Sequence, residues 1–184
     1  HVLKCRRICA KSLDDRAVFY ILLEALRRND GRGENAVYYV FTVQEEVGCR
    51  GSVVTAERIQ PDIGISVDVS PDHAYPSDLE GTNAVGAGVG VKLGDPSAML
   101  DEDLVDAMLA CCEEHGIKYQ RDVMDRGGTD SSSINRAHYG ARVAGISVIT
   151  RYPHSQSAVI SLDDLEAAID LTDRYTKLHF AFEA

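Results

Sequence analysis

The sequence holds no basic stripe, no apolar run long enough to cross a bilayer and no cysteine framework. Nineteen Lys and Arg stand against 29 Asp and Glu, a formal charge of −10. Without clustered cations the chain lacks what nucleic-acid phosphates attract, so nucleic acid is not expected as a partner. The missing apolar run excludes a membrane-spanning helix, and no signal-peptide pattern opens the sequence. The five cysteines, Cys5, Cys9, Cys49, Cys111 and Cys112, follow no pairing pattern. An odd, unpatterned set reads as reduced thiols, and the expectation is a cytoplasmic protein. Adjacent residues on a helix point apart, so Cys111 and Cys112 argue against a Cys-rich metal site. Repeats and low-complexity linkers are missing as well. With 184 residues and 45% hydrophobic content, one domain over 1–184 is expected.

What is present alternates between two periodicities. Val18, Ile21, Leu22, Ala25 and Leu26 have helical spacing, and Arg27 and Arg28 follow where a helix C-terminus favours cations. Ala36–Val43 is a nearly continuous β-branched and aromatic run, read as a strand covered on both faces. A short helix is expected over Ser52–Ile59, a strand over Ile63–Val69, a loop over Pro71–Glu80 and a strand over Ala84–Leu93. Leu104 to Cys112 marks a helix stopped by Gly116. Lys118–Met124 reads as an edge strand, Thr129–His138 as a short helix and Val143–Ile149 as a strand. Ser161 and Asp164 make a start like a capping box for the last helix. Its apolar stripe is Leu165, Ile169, Thr172, Tyr175, Leu178 and Phe182. Strands alternating with helices predict an α/β protein, three layers with a largely parallel or mixed sheet and helices on both faces.

Charged residues fall at the ends of these strands. Ala36–Val43 runs into Gln44-Glu45-Glu46, Ile63–Val69 contains Asp68, and Val143–Ile149 leads to Thr150-Arg-Tyr-Pro-His154. Ligands of open α/β sheets bind at the carboxyl ends of strands. Asp14 and Asp15 add two carboxylates at the start of the first helix. Each residue has an ordinary explanation: Asp14 and Asp15 as helix caps, Glu45, Glu46 and His154 as solvated loop residues. Asp68 is harder to dismiss, because a carboxylate inside an apolar strand needs a partner. Oxygen donors with one imidazole suit zinc, cobalt or manganese. Adjacent side chains in an extended segment diverge, so one of Glu45 and Glu46 can ligate while the other handles protons.

Three other chemistries fare worse. Gly86-Ala-Gly88-Val-Gly90 lacks the full glycine spacing of a nucleotide-binding turn and reads as a strand approached closely by another backbone. No Gly-x-Ser-x-Gly elbow supports a serine hydrolase through Ser155. A glucanase needs a carboxylate pair flanking a sugar-sized cleft, and Glu45 and Glu46 are too close in sequence for that.

Five motifs then resemble one family in order and across nearly the whole chain. They are Lys11-Ser-Leu-Asp-Asp-Arg16, Val43-Gln-Glu-Glu-Val-Gly48, Ile65-Ser-Val-Asp-Val69, Arg126-Gly-Gly-Thr-Asp130 and Thr150-Arg-Tyr-Pro-His-Ser155. The sequence is similar to the dinuclear metal aminopeptidases that form tetrahedral particles, the glutamyl and deblocking aminopeptidases and their "cellulase M" relatives. The resemblance implies a zinc-peptidase-like fold, two divalent metals (Zn, Co or Mn) per site, homo-oligomers, and peptide substrates with free N-termini. It implies that Asp14 bridges the metals, that Glu46 and His154 complete one shell, and that Asp68 belongs to the other. Glu45 is implied as general base, Asp15 as support across a cis Asp14–Asp15 bond, and Gly128, Thr129 and Asp130 as neighbours of the substrate. The family's further metal-binding histidine, in a His-x-Asp motif, is not carried over to His1, because Leu3 stands where that motif needs Asp. The family's inserted β-rich domain is absent too. The expectation is therefore a partial catalytic domain holding one ion tightly, with impaired activity, the alternative being a non-catalytic metal-binding or assembly fragment.

Overall fold

The computed structural model describes residues 1–75 and 80–180. Phe182, expected on the last helical stripe, and 76–79 of the expected loop lie outside the described residues.

Two sheets form. The larger holds β3 (Ile63–Pro71), β4 (Val89–Asp95), β5 (Ala98–Met99), β6 (Tyr119–Val123) and β7 (Arg142–Thr150). Its order is β3-β7-β4-β5, with β6 also on β4. It is mixed: β3–β7 and β4–β6 are parallel, while β4–β7 and β4–β5 are antiparallel. The smaller sheet, β1 (Val2–Leu3), β2 (Arg7–Ala10) and β8 (Ala158–Ser161), has no counterpart in the sequence reading, its strands being too short to show a period.

The described residues also form five helices: α1 (Leu13–Arg28), α2 (Arg50–Ile59), α3 (Glu102–His115), α4 (Ser131–Arg136) and α5 (Leu162–Tyr175). Alternation along β3 assigns them to faces. Ile63, Ile65 and Val67 pack on the core that holds Ile21, Met108, Leu171 and Tyr175 of α1, α3 and α5. On the opposite side, Gly64 faces Ile134 of α4, and Ser66 accepts a hydrogen bond from Thr129; α2 packs on α4. This is the expected layering of helices on both faces of a mixed sheet.

Local chemistry explains the helix ends. Asp101 caps α3 by accepting from the Leu104 amide, and Gly116 ends it at φ 64. Ser161 caps α5 at the Asp163 and Asp164 amides, but Asp164 does not reach back as a capping box requires. Its buried carboxylate instead accepts from the Gly86 and Gly88 amides. A Cβ on Gly88 would lie 2.3 Å from the Lys118 carbonyl oxygen, so this glycine marks a close backbone approach. The expected strand from Ala84 accordingly begins only at Val89. Helix α5 stops at Tyr175, and Leu178 packs on the core from beyond it.

One expected element is missing. Residues 36–43 form no strand, and Tyr38 and Val43 are exposed at 65% and 68%. The residues have strand propensity, but propensity cannot supply the neighbouring backbone that a ladder needs.

Candidate metal centre

The acidic cluster is assembled by four segments that end close together. Ser12, at φ 53, turns the chain into α1, and the Asp14–Asp15 peptide is cis, as the resemblance implied. The Asp14 and Asp15 backbones depart from helical geometry, which sets their carboxylates off the regular helix. Glu45 and Glu46 sit on a turn rather than at a strand end. Gln44 lies at φ 59, and the Glu45 carbonyl accepts from the Gly48 and Cys49 amides. Asp68 comes from β3, six positions into the strand and buried. His154 follows β7 at φ 56 in a tight turn, its side chain 72% exposed.

His154 Nε2 stands 3.0 Å from Asp14 Oδ2 and 3.3 Å from Glu46 Oε2. One ligand atom from each of Asp14, Glu46 and His154 falls within 4.8 Å of the others. The same holds for Asp14, Asp15 and Asp68, and for Glu45, Cys49 and Asp130. A cleft of about 350 Å³ opens over Asp14, Glu46 and His154. Glu45 and Glu46 therefore diverge, one towards Cys49 and Asp130 and the other towards His154.

Crowding these carboxylates raises their proton affinity. Burial, helped by the Glu46 charge, pushes Asp14 up to about 6. Burial first, then Asp68 and Asp14, pushes Asp15 up to about 10. Asp68 is raised well above the usual carboxylate range, by burial and then by Glu45. Glu45 is raised by burial, against a Cys49 Sγ–H donating at 3.3 Å. Burial and the Glu45 carboxylate push the Cys49 thiol up to about 12. Asp15 Oδ1 is buried and finds no hydrogen-bond partner among the described residues. Negative charge thus exceeds what the protein's own cations and donors offset, and the donor set of carboxylates with one imidazole fits a divalent cation.

The Gly128–Asp130 turn divides. Asp130 joins the cluster, with its carboxylate fixed by Thr42 Oγ1 at 2.7 Å and Ser52 Oγ at 2.6 Å. Thr129 is buried, its hydroxyl engaged with Ser66 and Ser131. Gly128 lies against Ser97, where a Cβ would come within 2.2 Å of the hydroxyl. Neither is brought to the cluster.

Two features escaped the sequence reading. Cys49 lies beside Glu45, and nothing in a lone cysteine announces that. Beneath Asp68, Lys92 and Asp122 form a fully buried ion pair at 3.0 Å. Asp122 also accepts from Ser70 at 2.8 Å and Asn83 at 2.6 Å. Burial opposes the Asp122 charge, yet Lys92 first, with the Ser147 and Asn83 side chains, holds it below the ordinary carboxylate range. The signal was available: Lys92 interrupts the apolar run Val89–Leu93.

A layered α/β fold that gathers carboxylates and one imidazole at one end of its sheet is of a type suited to holding a divalent cation. Within that type the chain belongs to the M42 glutamyl aminopeptidase family, whose model matches residues 1–171. It is 31% identical over 166 residues to the lysyl aminopeptidase of Pyrococcus furiosus, covering 90% of this chain and 47% of that protein. The TET aminopeptidase of Thaumarchaeota archaeon SCGC AB-539-E09 superposes with a TM-score of 0.89 at 32% identity, covering 96% of this chain and 50% of that one. The TET1 peptidase of Pyrococcus horikoshii, described as assembling into a tetrahedron or a large octahedral shell, superposes at 0.81 with 28% identity, covering 96% and 52%. The chain spans about half the length of the curated relatives it matches.

Proposed function

We propose that residues 1–184 are one portion of a metallo-aminopeptidase catalytic domain, acting on peptides with free N-termini. The observation that carries this reading is the convergence of Asp14, Glu46 and His154 within 4.8 Å, with Glu45 turned to the adjoining cluster. Asp14, Glu46 and His154 would hold one divalent ion, and Asp14 with Asp68 a second, weaker one. When bound, such a cation supplies Lewis acidity and lowers the pKa of a coordinated water.

The chain's own residues do the rest. Glu45 takes the proton of the attacking water and returns it to the leaving amine; its raised proton affinity brings it closer to the pH at which a base works best. Asp130, fixed by Thr42 and Ser52, places its carboxylate beside Glu45 and adds to that effect. Asp15 lies against Asp14 and Asp68 and holds a proton in the absence of a cation. The excess negative charge attracts a substrate's ammonium terminus. The Pyrococcus horikoshii relative supports homo-oligomeric assembly as a proposal for the longer protein.

The test is hydrolysis of chromogenic aminoacyl substrates by the chain with added zinc or cobalt, beside Glu45→Gln. Cation-dependent release that Glu45→Gln abolishes supports the reading. Release that persists in Glu45→Gln contradicts Glu45 as the base, and no release with an intact fold contradicts the reading and favours the non-catalytic alternative.

A further inference from the structure

His154 reaches the acidic cluster from an exposed loop, and little around the ring itself fixes its direction. Its side chain is 72% exposed, and Asp14 and Glu46 both meet it at Nε2. Metal-binding histidines ordinarily donate their second ring N–H to a carboxylate or carbonyl, which fixes the ring. Among the described residues, none accepts from His154 Nδ1. The direction of the ring therefore depends on the backbone that carries it.

That backbone is the loop of residues 152–158. Its stem is Arg151 and Val159, which exchange two backbone hydrogen bonds of 2.9 Å. Within the loop Tyr152 and His154 both hold left-handed backbone, at φ 57 and φ 56. Ser155 Oγ donates to the Tyr152 carbonyl at 2.7 Å and accepts from the Ser157 amide at 3.2 Å. Left-handed backbone is unfavourable for residues with a Cβ, so this shape depends on what holds the loop.

The stem is held by Asp72, fully buried one residue beyond β3. Its amide donates to the Thr150 carbonyl at 3.0 Å, carrying the β3–β7 pairing one step further. The Arg151 guanidinium reaches Asp72 Oδ2 through Nε at 2.7 Å and Nη2 at 2.6 Å. Asp72 Oδ1 accepts from the Ala74 amide at 2.9 Å, so the carboxylate is pinned on both oxygens. The guanidinium carbon of Arg151 lies 5.3 Å from the centre of the Tyr75 ring, which meets Tyr152 edge-on at 5.1 Å.

We propose that Asp72 is a positioning residue for His154. Through Arg151 it clamps the loop so that Nε2 stays beside Asp14 and Glu46, taking the place of the outer partner that the ring lacks. The inference rests on His154 as a ligand in the proposed function. A merely structural ion pair at the end of the β3–β7 ladder would govern stability and leave the ring where it is.

Two variants separate these roles without any assay of activity. Asp72→Asn breaks the pair. Asp72→Leu combined with Arg151→Met replaces both members by apolar groups, the milder change for stability, and serves if the single variant does not fold. Calorimetric titration should show zinc affinity lowered by about 10–100-fold in both, the loss typical of an outer partner. The His154 imidazole is followed by NMR in the cation-free chain at one pH, assigned by its disappearance in His154→Ala. Its shifts should move towards those of a solvated ring in both variants. Folded variants in which either the affinity or the imidazole shifts match the parent overturn the proposal, whatever their melting temperature. A parent chain that binds no zinc contradicts the metal reading instead, and the cation-free shifts then decide the clamp alone.

Discussion

His154 Nε2 lies 3.0 Å from Asp14 Oδ2, joining the turn after β7 to the first turn of α1. The two residues come from opposite ends of the sequence, and Glu46 closes the group at 3.3 Å from the same nitrogen. Replacing either His154 or Glu46 by Ala would remove one of the three donors proposed for one ion. Zinc affinity is expected to fall by more than the roughly 10–100-fold typical of losing an outer-shell partner. His154 is exposed, so its loss should leave the thermal midpoint of the cation-free chain unchanged; a large drop would mark it as structural.

Glu45→Gln separates proton handling from ligation. The amide keeps the shape and loses the base, and rate is expected to fall about 10²–10⁴-fold while bound zinc per chain stays constant. Measuring zinc content beside kcat distinguishes this from loss of the ion.

Acidification should stabilise the cation-free chain. Asp14, at about 6, and Asp15, at about 10, hold protons more tightly folded than unfolded. Their contribution is complete below about pH 4, the ordinary carboxylate value, and is lost as pH rises through the folded values. Chelator-treated protein should melt higher at about pH 5.5 than at about pH 8.5, and zinc should reverse the loss at the higher pH. Melting that is equal at both pH values would show that the cluster does not carry this repulsion.

Lys92→Met isolates Asp122 in a dry interior. Breaking a buried pair on one side costs about 3–5 kcal/mol, whereas replacing both members by apolar residues is far milder. Denaturant unfolding of Lys92→Met should show that loss, and Asp122→Leu added to it should recover a substantial part.

The layered α/β architecture was legible because its main signals are local. Apolar spacing located α1 and α5, Gly116 ended α3, and carboxylates at strand ends pointed to the acidic cluster. What was not legible depends on neighbours. Residues 36–43 carry strand composition, yet a strand exists only where another backbone completes it. Asp164 reads as a capping residue, but two amides near Gly86 and Gly88 claim its carboxylate. Thr129 and Asp130 are adjacent in one motif, and only the fold reveals that one turns inward to Ser66 while the other joins Glu45. Lys92 inside an apolar run signals a buried charge, but its partner Asp122 is identified only once β4 lies beside β6.

Calorimetric zinc titration of the chain beside Glu46→Ala and His154→Ala tests the central claim most directly. The account predicts one tight ion per chain, lost in both variants. Zinc heat undiminished in the variants, or none in the parent chain, would contradict it.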